Sequence, residues 1–278
     1  MSAVNSSLVE TVIRPRPGWI PVNWRELLES RELLYFLIWR DIAVRYKQTV
    51  LGVAWAVLQP IFSMLVFTVI FGKLAGMPSE GHPYAVFVYA GLLPWMFFSG
   101  AVSGAALSLV NQQSLLTKIY LPRLFVPASA VGGGLVDIAV SFCVFACLLV
   151  FYRVAPGWGV LALPFLVLLT VISALGVGLI LAAVTVTYRD FRHVIPFMIQ
   201  AWMYLSPVIY PVSLVPKQWQ WLLAINPLVG VIDGFRSALL DRPWNLTALA
   251  VSTVSGCLFL IYGLFFFRKT ERRFADIA

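Results

Sequence analysis

Six long apolar stretches run through this chain of 278 residues, at positions 50–74, 84–110, 124–152, 160–188, 194–210 and 246–267. A helix needs about 20 residues to cross a hydrocarbon layer about 30 Å thick, and most of the stretches are that long. Inside lipid every backbone N–H and C=O must find an internal partner, and continuous apolar runs do so as helices rather than as the short alternating strands of a barrel. Composition points the same way. With 60% hydrophobic and 12% charged residues and a mean hydropathy of +0.88, a water-soluble globule would lack the polar residues to cover itself. The expected fold class is all-α, a polytopic membrane protein of six spans.

The net charge of +8 raises the question of nucleic acid, and the placement of the cations answers it. If the amino terminus is cytoplasmic and six spans alternate, the inner side receives fifteen of the 20 Lys and Arg, from Arg14 to Lys47, at Lys118, Arg123, Arg189 and Arg192, and from Arg268 onward. The outer side receives Lys73, Arg153, Lys217, Arg236 and Arg242. That is the positive-inside bias of a membrane protein, with both termini cytoplasmic and no nucleic-acid partner. The resulting organisation is a cytoplasmic segment at 1–48, a membrane domain at 49–267 and a basic cytoplasmic tail at 268–278. No secretory signal is expected ahead of the first span, because charges interrupt the opening 50 residues.

Two segments break the pattern of plain spans. Between Trp24 and Lys47, apolar residues recur at helical spacing among Arg25, Glu29, Arg40 and Arg45, and Asn23 with Glu26 resembles a capping box. This reads as an amphipathic helix in the membrane surface that docks a cytoplasmic partner, or merely anchors the chain. At 211–245, Pro211, Pro216, Pro227 and Pro243 forbid one continuous helix, yet the segment is too apolar for a free loop. Short helices dipping back into the outer half of the membrane are expected there, next to a short fifth span flanked by Pro196 and Pro207, and together these form the expected gate.

Asp137 is the one carboxylate well inside an expected span. An intramembrane charge is costly unless paired, which makes it a pathway candidate by default. A structural hydrogen bond to another helix is the preferred reading, since no cation in another span could complete a relay. Gly132, Gly133 and Gly134 beside it would let a neighbouring backbone come close, and the small residues Gly100 and Gly104, or Ala174, Gly178 and Ala182, would permit tight helix packing. Cys143, Cys147 and Cys257 fall inside spans, where they read as small buried apolar residues without a metal or catalytic role. No G-x-x-x-x-G-K-[ST] phosphate loop occurs, so no cofactor is expected in this chain and any ATP chemistry belongs to another.

Several separated motifs, in order, carry a resemblance. They are Arg45-Tyr46-Lys47-Gln48-Thr49-Val50-Leu51-Gly52 with Trp55 and Gln59-Pro60; Tyr89-Ala90-Gly91-Leu92-Leu93-Pro94-Trp95 and Phe97-Phe98-Ser99; Asn111, Leu115, Lys118, Pro122-Arg123 and Pro127; Tyr188-Arg189-Asp190-Phe191; Leu205-Ser206-Pro207-Val208-Ile209-Tyr210; and Asn226-Pro227 with Arg236. From about Glu32 to the carboxyl end the chain resembles the permease subunits of ABC transporters that export O-antigen, capsular and teichoic-acid polysaccharides. The resemblance implies a homodimer of six-span subunits in the inner membrane, two cytosolic ATPase subunits that hold the ATP and Mg, and a lipid-linked polysaccharide as cargo. It implies that Trp24, Arg25, Lys118, Tyr120, Pro122 and Arg123 lie where the ATPase docks. It also makes Ser206, Pro207, Tyr210, Asn226, Pro227 and Arg236, with Asp137, the gate and pathway candidates. An ABC exporter of drugs or lipids is the nearest rival. A proton-coupled secondary transporter would favour repeated halves and charged spans, and a membrane glycosyltransferase clustered acids; neither pattern is present.

Overall fold

The computed structural model describes residues 24–47, 52–113 and 121–271. The described residues form helices and turns with no strand. The chain opens with α1 (Trp24–Glu29) and α2 (Arg31–Lys47), so the expected amphipathic helix is two helices parted by a turn at Ser30. Asn23 of the expected capping box lies outside the described residues. Then follow α3 (Gly52–Phe67), prolonged by a π-helical stretch at Thr68–Leu74, α4 (Tyr84–Asn111) and α5 (Phe125–Tyr152). A 3₁₀ turn at Trp158–Ala162 leads into α6 (Leu163–Thr187), followed by α7 (Phe191–Leu205). The Pro-broken segment folds as a 3₁₀ turn at Val212–Leu214, α8 (Lys217–Ala224) and α9 (Val229–Leu240), and α10 (Leu246–Glu271) ends the described chain.

Five of these helical stretches are long and apolar enough to cross a membrane. The sixth apolar run, 194–210, is helical only to Leu205. Helix α7 has 15 residues and so is about 22 Å long, short of the hydrocarbon thickness. Its end has a local cause: Ser206 takes an extended ψ of 144° and Pro207, with no N–H, cannot continue the ladder.

Helix α4 lies at the centre, buried along most of its length against α5, α6 and α9, while α3, α5 and α10 turn most of their apolar surface outward. Because lipid is as apolar as leucine, burial alone cannot drive such helices together, and close small-residue contacts carry much of the packing. One close contact of this kind is between α6 and α10, where a Cβ on Gly263 would run into the Gly176 carbonyl oxygen. The expected pairs behave differently from one another. Gly178 faces Ala105 closely, but Gly104 meets Ala130 only at ordinary distance and Gly100 meets nothing, because that face of α4 borders a cavity. Cys143 and Cys147 are exposed on the outward side of α5 rather than buried, and the described residues contain no metal-ligand cluster.

Helix α2 packs on α5. Gly132 admits the Ile38 side chain, Asp41 lies beside Gly133, and the Phe97 ring of α4 covers Gly134, so side chains rather than a second backbone use the three glycines. Arg40 donates to Asp41 at 2.7 Å and to Gln112 at 2.6 Å, and Ser129 donates to the other Asp41 oxygen at 2.9 Å, which ties α2 to the end of α4 and the start of α5. The far side of α2 exposes Tyr35, Phe36 and Trp39.

Candidate functional site

Where α7 stops, the carbonyls of Val208, Ile209 and Tyr210 leave helical geometry inside an apolar surround. Irregular backbone persists there only if other protein groups satisfy it. Arg236 does most of this. Its Nη2 donates to the Val208 carbonyl at 2.7 Å, its Nη1 to Tyr210 at 3.2 Å and its Nε to Phe87 at 3.4 Å. The Tyr84 hydroxyl donates to the carbonyl between them, Ile209, at 2.8 Å. The guanidinium is fully buried and lies 3.8 Å from the centre of the Phe87 ring, a cation–π contact that further offsets its desolvation. The fork of five donors explains why arginine rather than lysine occupies the position. It also explains Gly91 in the Tyr-Ala-Gly motif: a Cβ there would lie 2.8 Å from Nη2 and 3.0 Å from the Val208 oxygen.

A second set of bonds holds the turn before α9. The Asn226 amide donates to the Ser206 hydroxyl at 2.8 Å, and Ser206 donates in turn to the Trp202 carbonyl at 2.9 Å. The Asn226 side-chain oxygen accepts the Leu228 N–H at 3.0 Å, an Asx turn that starts α9 after Pro227. From α10, Ser252 accepts the Gly230 N–H and Ser255 donates to Ile225, each at 2.8 Å. Every residue of α9 is buried, and Pro207 and Pro227 are buried with it. Thus the structure brings together the gate candidates Ser206, Pro207, Tyr210, Asn226, Pro227 and Arg236.

Asp137 stands apart from this hub, in a second polar cluster. Arg45 and Tyr46, from the end of α2, both donate to its carboxylate. Burial and that hydrogen bond push the Tyr46 phenol up to about 12, so it remains a neutral donor. The cluster borders a cavity of about 620 Å³ between α2, α3, α4 and α5. A bonded partner on another helix is as the sequence suggested; the cation, however, comes from α2, which is not a span. Asp137→Asn keeps an acceptor oxygen for Arg45, while its NH2 can donate to the Tyr46 hydroxyl, which then accepts, and the variant should preserve folded yield and transport. Asp137→Leu should lower the folded yield, by about 1 kcal/mol because the pair is partly exposed. Quantifying membrane-inserted protein and transport for both variants checks this, and an Asn variant that inserts normally but fails to transport would give the carboxylate charge a direct role.

A family model described as the ABC-2 type transporter matches residues 32–240. The chain belongs to that family. It is similar to the O-antigen export system permease protein RfbA of Myxococcus xanthus, 33% identical over 220 residues that cover 78% of this chain and 84% of that protein. The RfbA of Klebsiella pneumoniae is 27% identical over 250 residues, covering 88% and 95%. The polysialic acid transport protein KpsM of Escherichia coli is 26% identical over 243 residues, covering 84% and 92%. Apart from Ser252 and Ser255 of α10, the residues of both polar clusters fall within the part of this ABC-2 chain that the family model matches.

The docking candidates are described only in part. In this ABC-2 protein Lys118 and Tyr120 lie outside the described residues. Trp24 begins α1, Arg25 is exposed and bonds along its own helix to Glu29 at 2.9 Å, and Arg123, following half-buried Pro122, donates to the Glu271 carbonyl at 2.8 Å, tying the start of α5 to the end of α10. A further group escaped sequence reasoning altogether. Glu80, in a left-handed turn before α4, pairs with Arg242 after α9 and accepts a hydrogen bond from Ser213 at 2.8 Å, while Arg242 lies 3.8 Å from buried Asp233. These charges are up to 162 positions apart (Glu80 to Arg242), so no local pattern announces them. The available signal was Asp233 three residues before Arg236 in an otherwise apolar stretch.

Proposed function

We propose that the protein is the channel-forming subunit of an ATP-driven exporter that moves a lipid-linked polysaccharide out of the cytoplasm across the inner membrane. The observation that carries this reading is similarity over most of the chain to permeases named for O-antigen export and polysialic acid transport. Two copies of the chain work with two copies of a separate cytosolic ATPase, which holds the ATP and Mg; the absence of a phosphate-loop motif in the sequence supports placing hydrolysis elsewhere. In this arrangement α7 is a short sixth membrane element and both termini are cytoplasmic, in keeping with the bias of cations toward one side. Helices α1 and α2 and the connection around Lys118, Tyr120, Pro122 and Arg123 receive the ATPase. The segment from Ser206 to Leu240, held by Arg236 and Asn226, gates the outer side.

Deleting the gene should leave cells without their surface polysaccharide and with glycan accumulating inside. The purified protein should hydrolyse no ATP until the partner ATPase is added. Normal surface glycan combined with new sensitivity to small hydrophobic toxins would replace this reading with that of a drug exporter.

A further inference from the structure

The cavity of about 620 Å³ beside Asp137 is within the range of about 300–1,000 Å³ usual for small-molecule sites. Its lining is mostly apolar, with Pro60, Met96, Phe97 and Ile138 among it, and two kinds of surface stand out. Trp55 supplies an aromatic face that is 63% exposed in the single chain. Arg45, Tyr46, Gln59 and Asp137 supply hydrogen-bonding groups of both senses. A carboxylate offers about four acceptor positions, and the Arg45 and Tyr46 donors reach one oxygen each, which leaves lone pairs open to further donors. Gly100 opens onto the same space with nothing within 4 Å of where its Cβ would be, so this stretch of α4 makes room without packing against another helix. An acyl chain would leave these polar groups unmatched, and an anionic headgroup would have to compete with Asp137 for the Arg45 cation already bonded to it. A pyranose suits both surfaces: its C–H face stacks on an indole while its hydroxyl edge donates to carboxylate and amide oxygens and accepts from guanidinium and amide N–H.

We propose that this cavity, formed within a single protomer by α2, α3, α4 and α5, holds a neutral glycosyl unit of the exported chain. The inference rests on the polysaccharide reading given above and names where the subunit grips its cargo. Trp55 is the stacking platform, Gln59 and Asp137 bind hydroxyls, and Arg45 and Tyr46 position the Asp137 carboxylate.

The test uses the permease with its ATPase in cells that synthesise the glycan. Trp55→p-benzoylphenylalanine, irradiated during export, should yield a permease adduct that carries glycan, and the adduct should vanish when glycan synthesis is switched off. Trp55→Leu should slow the appearance of surface glycan about two- to tenfold, the range an aromatic stacking contact carries, with Trp55→Phe restoring most of the rate. Gly100→Leu projects into the cavity from a position with nothing within 4 Å of its Cβ, and it should slow export at least as much at unchanged membrane abundance, whereas Gly104→Ala, outside the cavity, should not. An adduct bearing only phospholipid, or wild-type export by Gly100→Leu, overturns the cavity assignment while the export function stands. Normal surface glycan in the deletion strain overturns both.

Discussion

Replacing Arg236 with methionine should remove most of the folded protein. Methionine follows the arginine stem only as far as Nε, and it withdraws all three hydrogen bonds to the Val208, Tyr210 and Phe87 carbonyls. Val208 and Tyr210 stand in a segment with no helical ladder to fall back on, and each buried acceptor left without a donor costs about 1–3 kcal/mol. Asp233, one turn away and buried, would lose a neighbouring positive charge as well. The expected total is about 3–5 kcal/mol, comparable with breaking a buried ion pair and large against the usual margin of stability. Arg236→Lys should fall between, because an ammonium keeps the charge but cannot reach three carbonyls in fork geometry. Fluorescence-detected size exclusion in mild detergent, with a thermal ramp, reads both variants. A methionine variant with the midpoint of the native protein would mean that these carbonyls are satisfied by water, and the hub would lose its structural role.

Gly176→Val should be nearly as damaging, for a steric reason. A Cβ at position 176 would fall 2.5 Å from the Leu260 nitrogen and 2.6 Å from the Phe259 carbonyl carbon, both backbone atoms of α10. A flexible side chain could swing aside, but a helix backbone cannot, and Gly263 already brings that helix against the Gly176 carbonyl. Helices α6 and α10 would have to part along their whole contact, losing the close approach on which helix association in lipid depends. The cost should reach or exceed the upper end of overpacking effects, about 3 kcal/mol. Gly104→Ala gives the contrast, since its Cβ would meet Ala130 at 3.6 Å, ordinary contact, and should leave the melting midpoint unchanged. A valine variant that inserts and melts like the native chain would show that α6 and α10 do not meet this closely in the membrane.

Much of this architecture is legible in the sequence because, in lipid, helicity is a local consequence of hydropathy. The runs at 84–110 and 124–152 become Tyr84–Asn111 and Phe125–Tyr152 almost unchanged. Four prolines correctly announce that 211–245 cannot be one helix. The grouping of Ser206, Asn226 and Arg236 as one site was also available, though from their motifs rather than from any computed spacing. Long-range partners were not. That Asp137 takes its cation from Arg45, that Glu80 answers Arg242, and that Gly91 is empty because a guanidinium passes it all depend on which helix lies beside which. The outward placement of Cys143 and Cys147 and the central position of α4 are decided at the same level. Hydropathy states that a residue is to be kept from water, but lipid and protein interior satisfy that demand equally. Only the tertiary arrangement, through close backbone contacts and the pairing of buried donors with acceptors, distinguishes one from the other.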